Sequence, residues 1–260
     1  MAIEKLQASR FELKYMISEQ CALQVREFVR CRLELDEHGV GCPDYSYPVH
    51  SLYLDSPDLK LHWMTINGTK NRFKLRVRFY NDDPDGPAFF EIKRRMNNCI
   101  MKQRAAVQRS AVDAILAGQM PPPGSLLSKS GKDDVALLHF LDLMQHLEAT
   151  PTAHVAYHRE AYLPHDGNAA RLTLDRCVLI EPEFTGSLTT AMLHPTSVWE
   201  NKVILELKFT NQYPNWFAEL VRTFNLRQSG AAKYADGIVK VGEAAFTAGR
   251  NLDTALFCFS

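Results

Sequence analysis

The sequence predicts an α+β fold built on a mainly antiparallel sheet, and three observations support this class. Segments in which charged and apolar residues alternate strictly recur along the chain. Amphipathic helical stretches stand between only some of these segments, which is typical of α+β proteins. The 260 residues are 46% hydrophobic and 23% charged, which is the composition of a globular protein with a sizeable core.

The elements are predicted in chain order from alternation, from turn residues and from helix caps. Ser18 is expected to cap a first helix that runs to about Glu37, and Pro57 to open a short second helix. The predicted strands are 10–17, 48–55, 72–80, 88–96, 98–106, 152–163, 170–181 and 198–209. The other predicted helices are 107–118, 133–149, 214–226 and 231–245.

We expect a single domain over residues 1–245 and a C-terminal tail over 246–260. No stretch approaches the ~20 apolar residues that span a bilayer. The first ten residues mix Glu4, Lys5 and Arg10 with few apolar side chains, so we expect neither a signal peptide nor a transit peptide. The six scattered cysteines are typical of free thiols. These features predict a cytoplasmic protein, and a peripheral position at the inner membrane face, beside a membrane-protein partner, is a further expectation.

Charged side chains share one face of most predicted strands. In segment 73–80, Lys74, Arg76 and Arg78 alternate with apolar residues, and side chains two apart point to the same face of a strand. Total charge hides this arrangement, because 30 basic residues balance 30 acidic ones. The same alternation selects twelve cations, Arg10, Lys14, Lys74, Arg76, Arg78, Lys93, Arg95, Lys102, Arg104, Arg159, Arg171 and Lys208, and four carboxylates, Glu12, Glu91, Asp175 and Glu206.

A closed face with so many like charges needs an anion, because burying a cation unpaired costs several kcal/mol. Condensed phosphate is the natural ligand, since Arg and Lys match phosphate oxygens well. The few carboxylates would suit a divalent metal that also binds phosphate. Two alternatives remain open. A single alternating strand is often a solvated face, and Glu206 could pair with Lys208 or Arg171 instead of a metal.

Eight short motifs follow one another from about Arg10 to Val241. They are Arg10-Phe-Glu-Leu-Lys-Tyr, Ser51-Leu-Tyr-Leu-Asp, Lys74-Leu-Arg-Val-Arg-Phe-Tyr, Phe90-Glu-Ile-Lys, Lys102-Gln-Arg, Arg171-Leu-Thr-Leu-Asp, Leu205-Glu-Leu-Lys-Phe and Ser229-Gly-Ala-Ala-Lys-Tyr-Ala-Asp-Gly. Together they resemble the VTC domain, the polyphosphate polymerase domain of the triphosphate tunnel metalloenzyme (CYTH-like) superfamily. The resemblance is to a stand-alone, bacterial form of that domain.

This resemblance implies an eight-stranded antiparallel β-barrel that encloses a tunnel, with helices packed outside. It implies a polymerase that transfers the terminal phosphate of ATP to a growing polyphosphate chain, with Mn²⁺ or Mg²⁺ as cofactor. Together with the charged face, it assigns catalytic roles to Lys14, Arg76, Arg78, Lys93, Arg159 and Arg171, substrate binding to Arg10, Lys74, Lys102, Arg104, Lys208 and Lys233, and metal binding to Glu206, with Glu12 and Glu91 as further candidates. Lys102 and Arg104 could exchange roles.

Two other functions use the same residues. Water in place of the phosphate acceptor would make the protein a tripolyphosphate or nucleoside triphosphate hydrolase. Without turnover, the same surface would be a polyphosphate-binding module. A nucleic-acid groove is expected to show aromatic residues among the basic ones, and here the aromatic residues lie on the opposite strand faces. We therefore expect ATP and inorganic polyphosphate as partners, and no nucleic acid.

Overall fold

The computed structural model describes residues 10–97, 99–128, 130–164 and 170–247. In this part of the chain, ten strands form one antiparallel sheet and helices pack against it, so the α+β class is confirmed. The strands are β1 Arg10–Ser18, β2 Glu34–Leu35, β3 Ser46–Asp55, β4 Asn71–Phe79, β5 Pro87–Met96, β6 Cys99–Gln108, β7 Thr150–Leu163, β8 Ala170–Pro182, β9 Thr196–Ser197 and β10 Lys202–Thr210.

The sheet curves round on itself without closing as the predicted barrel. Its order is β2-β7-β3-β4-β5-β6-β1-β10-β8-β9, and a further pairing joins β7 to β8. At the seam between β1 and β6, the described residues form a single ladder pair, Arg10 with Ile100. The prediction of an eight-stranded closed barrel is therefore wrong. The sheet has ten strands because β2 and β9 add two-residue pieces, and among the described residues no continuous ladder closes the seam.

The helices begin and end where local chemistry dictates. Ser18 caps α1 as predicted, because its Oγ accepts a hydrogen bond from the Cys21 N–H at 3.2 Å, but α1 ends at Val29. Helix α2 begins at Lys60 instead of Pro57, and the Asp55 carboxylate accepts N–H bonds from its first turn. The helices are α1 Glu19–Val29, α2 Lys60–Ile66, α3 Val112–Leu116, α4 Gly131–His146, α5 Asn215–Thr223, α6 Lys233–Val241 and α7 Ala244–Thr247.

Helices cover the apolar outer faces of the strands, as the alternation predicted. Phe90 and Ile92 of β5 lie in one core cluster with Phe140 of α4. Leu172 of β8 lies in a second cluster with Phe217 of α5. The charged faces of these strands are thereby left for the inside of the curved sheet.

Helix α6 lies on the inner face and fills part of it. Its Tyr234 and Ile238 pack in a third apolar cluster with Val155 and Ile180. Val155 shares its strand face with Arg159, so apolar and basic residues follow one another along the same inner face. Gly237 allows this packing, because a Cβ there would lie 2.6 Å from Cδ1 of Ile180.

The division into a domain over 1–245 and a tail over 246–260 stays a prediction. Residues 248–260 lie outside the described residues. Within the described part of the chain, each helix is too short or too polar to cross a membrane.

Candidate functional site: a basic cavity

The inner face of the sheet surrounds a cavity of about 640 Å³. Strands β1, β3, β4, β5, β6, β7, β8 and β10 contribute to its wall, together with the segment 228–233 that leads into α6. Among the described residues, two carboxylates line it, Glu12 and Glu206. The thirteen lining cations are Lys14, Arg72, Lys74, Arg76, Arg78, Lys93, Arg94, Arg95, Lys102, Arg159, Arg171, Lys208 and Lys233.

A buried carboxylate behind the wall fixes Arg76. Both Nε and Nη2 of Arg76 donate hydrogen bonds to Oε2 of Glu91, at 2.8 and 2.7 Å. The other oxygen of Glu91 forms ion pairs with Lys102 at 2.6 Å and Arg104 at 3.1 Å. Burial alone would raise the pKa of Glu91, but Arg76 and the neighbouring cations hold it well below its ordinary value. Glu91 therefore stays ionised and orients three cations.

Asp175 plays the same part on the opposite side of the cavity. Arg159 donates from Nε to Oδ1 at 2.7 Å and from Nη2 to Oδ2 at 2.8 Å, which is a two-pronged contact. Lys233 lies 2.6 Å from Oδ2. Burial would raise the pKa of Asp175, but Arg159 and Lys233 lower it to about 2. This carboxylate thus joins β7 to the first residue of α6 through their cations.

Glu12 and Glu206 form a third group, which lies in the cavity wall itself. The register of β1 and β10 places Lys14 opposite Glu206 and Glu12 opposite Lys208. The Lys14 ammonium lies 3.2 Å from an oxygen of each carboxylate. Lys208 lies 2.6 Å from Glu206, and Lys93 lies 3.0 Å from Glu12. Despite burial, these ammonium groups hold the pKa of both carboxyls far below ordinary values.

The donor chemistry of Glu12 and Glu206 fits a divalent metal that binds together with phosphate. Magnesium-like ions are commonly held by one or two carboxylates and complete their shell with substrate phosphates and water. The two carboxylates share Lys14 as a neighbour, so an incoming metal would take over the charge that Lys14 now balances. In the described ranges, no group of three or more His, Cys, Asp or Glu side chains could hold a metal.

The surplus of positive charge shows in the pKa values of two lysines and one tyrosine. The pKa of Lys74 is lowered to about 8, mainly by burial and also by the neighbouring cations Lys14 and Lys93. Burial also lowers the pKa of Lys102 to about 7, against the pull of Glu91. For Tyr53, burial would raise the pKa, but Arg76 and Lys74 lower it to about 7. The cavity therefore favours a negative guest.

Most of the predicted site residues meet in this cavity. Arg104 does not line it; its guanidinium lies over the Phe89 ring, 3.7 Å from the centroid, and pairs with Glu91. Glu91 lies buried behind the lining. The backbone of Arg10 pairs with Thr210 and Ile100, and its side chain lies outside the described part.

Sequence reasoning missed two tyrosines and one backbone carbonyl. The Tyr53 hydroxyl accepts from Arg76 at 3.2 Å, and the Tyr157 hydroxyl accepts from Arg78 at 3.0 Å. The Lys14 ammonium donates to the Ala231 carbonyl at 2.8 Å. Strand alternation was the available signal for Tyr157, because it lies two residues before Arg159 and hence on the same face.

A curved antiparallel sheet around a basic cavity with two carboxylates fits a protein of the triphosphate-tunnel class. The sequence comparison supports the same class of protein and identifies the family within it. The model of the VTC domain family matches residues 9–241, and the chain belongs to this family.

The chain is also similar to solved structures with which it shares little sequence. One from Bacillus halodurans, named "putative adenylate cyclase", is 12% identical, with a TM-score of 0.49 over 86% of this chain and 94% of that one. The PH1819 protein of Pyrococcus horikoshii OT3 is 12% identical, with a TM-score of 0.46 over 90% of this chain and 99% of that one. No curated protein matches the chain.

Proposed function

We propose that this protein is a metal-dependent polyphosphate polymerase that transfers the terminal phosphate of ATP to a growing polyphosphate chain. The observation that carries the proposal is the cavity, in which thirteen cations face two carboxylates among the described residues. Such an excess is costly unless an anion of high charge density offsets it. Membership of the VTC family supports condensed phosphate as that anion.

The fixed arginines would bind and orient the phosphates. A guanidinium carries five N–H donors, and the contacts of Arg159 with Asp175 use Nε and Nη2, so donors remain for phosphate oxygens. Arg76 is held by Glu91 in a comparable way. Orientation before the reaction matters because phosphoryl transfer depends mainly on positioning and electrostatic stabilisation.

The reaction needs no nucleophile from the protein. A terminal oxygen of the acceptor chain attacks the γ-phosphorus, a new P–O bond forms, and the bond to the β–γ bridging oxygen breaks, so that ADP leaves. The lining cations, Arg76, Arg78, Arg159, Arg171, Lys14 and Lys93 among them, offset the negative charge on the transferred group. A divalent metal held by Glu206 and Glu12 would neutralise charge on the donor phosphates.

The remaining assignments follow from position. Lys74, Lys102, Lys208 and Lys233 line the cavity and would bind the chain beyond the reacting phosphate. Arg104 and Glu91 would support Arg76 and Lys102 without contacting substrate. Location in the cytoplasm and contact with a membrane protein stay predictions.

The deciding experiment incubates the purified protein with ATP and Mn²⁺ and measures acid-insoluble phosphate polymer and free orthophosphate. Polymer that appears with stoichiometric ADP supports the proposal. Orthophosphate without polymer would identify a hydrolase, and absence of turnover with tight tripolyphosphate binding would identify a binding module. Arg78→Ala should lose activity, whereas Lys240→Ala, which removes an exposed surface cation, should not.

A further inference from the structure

Two of the lining arginines, Arg72 and Arg95, lie at one end of the cavity. Arg72 lies in β4 close to its first residue, and Arg95 lies in β5 close to its last. The β4–β5 register places them directly opposite each other. Both line the cavity and are half-buried. In the next strand, Ile100 is opposite Arg95 and also pairs with Arg10, so this end coincides with the seam.

These two arginines differ from the inner ones in their partners. Arg72 donates from Nη1 to the Thr69 carbonyl at 2.7 Å, and Arg95 donates from Nε to the Asn97 carbonyl at 2.9 Å. In the described part of the chain, neither forms an ion pair with a carboxylate. Like charges directly opposite each other in a sheet are destabilising, and burial together with Arg95 lowers the pKa of Arg72. An anion between them would remove this repulsion.

We propose that Arg72 and Arg95 form a second phosphate-binding subsite, which holds the part of a condensed phosphate chain that protrudes from the cavity. The inference rests on the proposed function and specifies its substrate as a long chain. A cavity of about 640 Å³ has the size of a pocket for one small ligand. A polymer must therefore continue outside it, and a chain that leaves at this end passes two arginines that have no acidic partner among the described residues.

Condensed phosphate fits this end better than a nucleic acid does. Binding of single-stranded nucleic acid relies on aromatic rings on which bases stack. The rings near this end, Phe11, Phe73 and Phe209, already have partners. Phe11 and Phe209 stack on each other with centroids 5.2 Å apart, and the Arg94 guanidinium lies 5.6 Å from the Phe73 ring centroid. This end of the cavity, which we call the mouth, carries the guanidinium groups of Arg72 and Arg95. Guanidinium groups bind phosphate oxygens and do not distinguish between bases.

The test measures binding of two probes, tripolyphosphate and long-chain polyphosphate, by calorimetry in the absence of ATP and metal. The double variant Arg72→Ala/Arg95→Ala should bind long-chain polyphosphate about tenfold more weakly, and the slope of its log affinity against log salt concentration should become about 1.4 units shallower. Its affinity for tripolyphosphate should stay within about twofold of the parent's. The matched control Lys60→Ala/Lys240→Ala removes two exposed cations elsewhere and should change neither. The charge-conserving Arg72→Lys/Arg95→Lys should retain most of the polymer affinity.

The outcomes separate the two proposals. If the parent protein binds neither probe, the proposed function itself is excluded. A parent that binds both, with a double alanine variant that loses neither or loses both equally, overturns the mouth subsite alone. Competition by single-stranded RNA as strong as that by polyphosphate would replace phosphate specificity by general polyanion binding and would also overturn it. If the alanine variant fails to fold, the variant Arg72→Gln/Arg95→Gln is tested instead. Polymer affinity equal to that of the parent would then overturn the mouth subsite.

Discussion

Arg76 and Glu91 face each other across β4 and β5, and two N–H groups of Arg76 bind one oxygen of Glu91. The Glu91 side chain is 0% exposed, so its charge is balanced entirely by protein cations. This part of the basic cavity wall is therefore built on a buried acid. Substitutions of its arginines should differ according to whether they leave this acid unpaired.

Arg76→Ala should weaken both phosphate binding and the fold. It leaves Glu91 with Lys102 and Arg104 alone, and removing one partner of a buried ion pair costs about 3 kcal/mol. Arg78→Ala is the comparison, because in the described part of the chain Arg78 donates to the hydroxyls of Ser51 and Tyr157 and acts on Glu91 through its charge without a hydrogen bond. That variant should lose phosphate affinity and lose less stability than Arg76→Ala. Urea unfolding without ligand measures the free energy of unfolding of both variants. An equal loss of stability in the two would contradict the role of Glu91.

Glu206→Gln should abolish metal-dependent turnover while tripolyphosphate still binds without metal. The amide keeps the shape of the side chain but removes the charge that a divalent ion requires. Binding of the metal-free anion should be unchanged or tighter, because Lys14, Lys208 and Lys233 lose a competing carboxylate. Calorimetry with Mn²⁺ and a non-hydrolysable ATP analogue tests metal affinity. Full polymer synthesis by this variant would exclude Glu206 from the metal site. Glu219→Gln, at an exposed position, is the control.

Tripolyphosphate affinity should fall as pH rises from 7 to 9. Lys74 has a pKa of about 8 in the free protein, and a bound anion raises that pKa because it favours the charged form. Binding therefore takes up a proton above pH 8, and affinity should drop about tenfold per pH unit there from this group. Lys74→Arg stays charged and should show a flatter profile. Identical pH profiles of parent and variant would remove Lys74 from the anion site.

His154 should make the fold sensitive to acid. Burial and the neighbouring His50 lower its pKa from 6.5 to about 4, and the two rings meet at 3.0 Å between Nδ1 of His50 and Nε2 of His154. Glu181, 3.9 Å from Nδ1 of His154, and Asp82 face the same rings. The unfolded chain binds the proton first, so stability present above pH 6.5 is lost as pH falls towards 4.

The expected loss from this group is about 3 kcal/mol. His154→Gln cannot take up the proton and should lose about that much less stability between pH 7 and pH 4.5. Urea unfolding at the two pH values gives the comparison. The control His146→Gln changes an exposed histidine and should behave as the parent does. A variant as acid-sensitive as the parent would show that other groups dominate.

Alternation along the strands predicted the cavity well because it is a local property. Lys74, Arg76 and Arg78 line the cavity as the pattern required, and the apolar residues between them face the helices. The two short strands β2 and β9 could not be predicted, because two residues carry no period. The single ladder pair between β1 and β6 was equally inaccessible, since it depends on how eighty-odd intervening residues curve the sheet.

Which charged residues pair with each other could not be predicted from the sequence either. Asp175 stood among the predicted charged residues, but its two-pronged bond with Arg159 depends on the β7–β8 register, which places the two residues opposite each other. That register shifts between Ala156 and His158, and no local signal marks the shift. Lys233 was assigned by family resemblance alone. Its position results from α6 packing on the inner face, which is a tertiary effect.

The single described ladder pair at the β1–β6 seam has a mechanical consequence. Among the described residues, one ladder pair joins β1 to β6, whereas five pairs join β3 to β4 and nine join β1 to β10. Separating β1 from β6 would therefore break fewer of the described ladder pairs than separating either of those two pairs of strands. For a condensed phosphate chain bound as proposed, lateral exit along this seam would cost fewer backbone hydrogen bonds than exit through either of those two ladders.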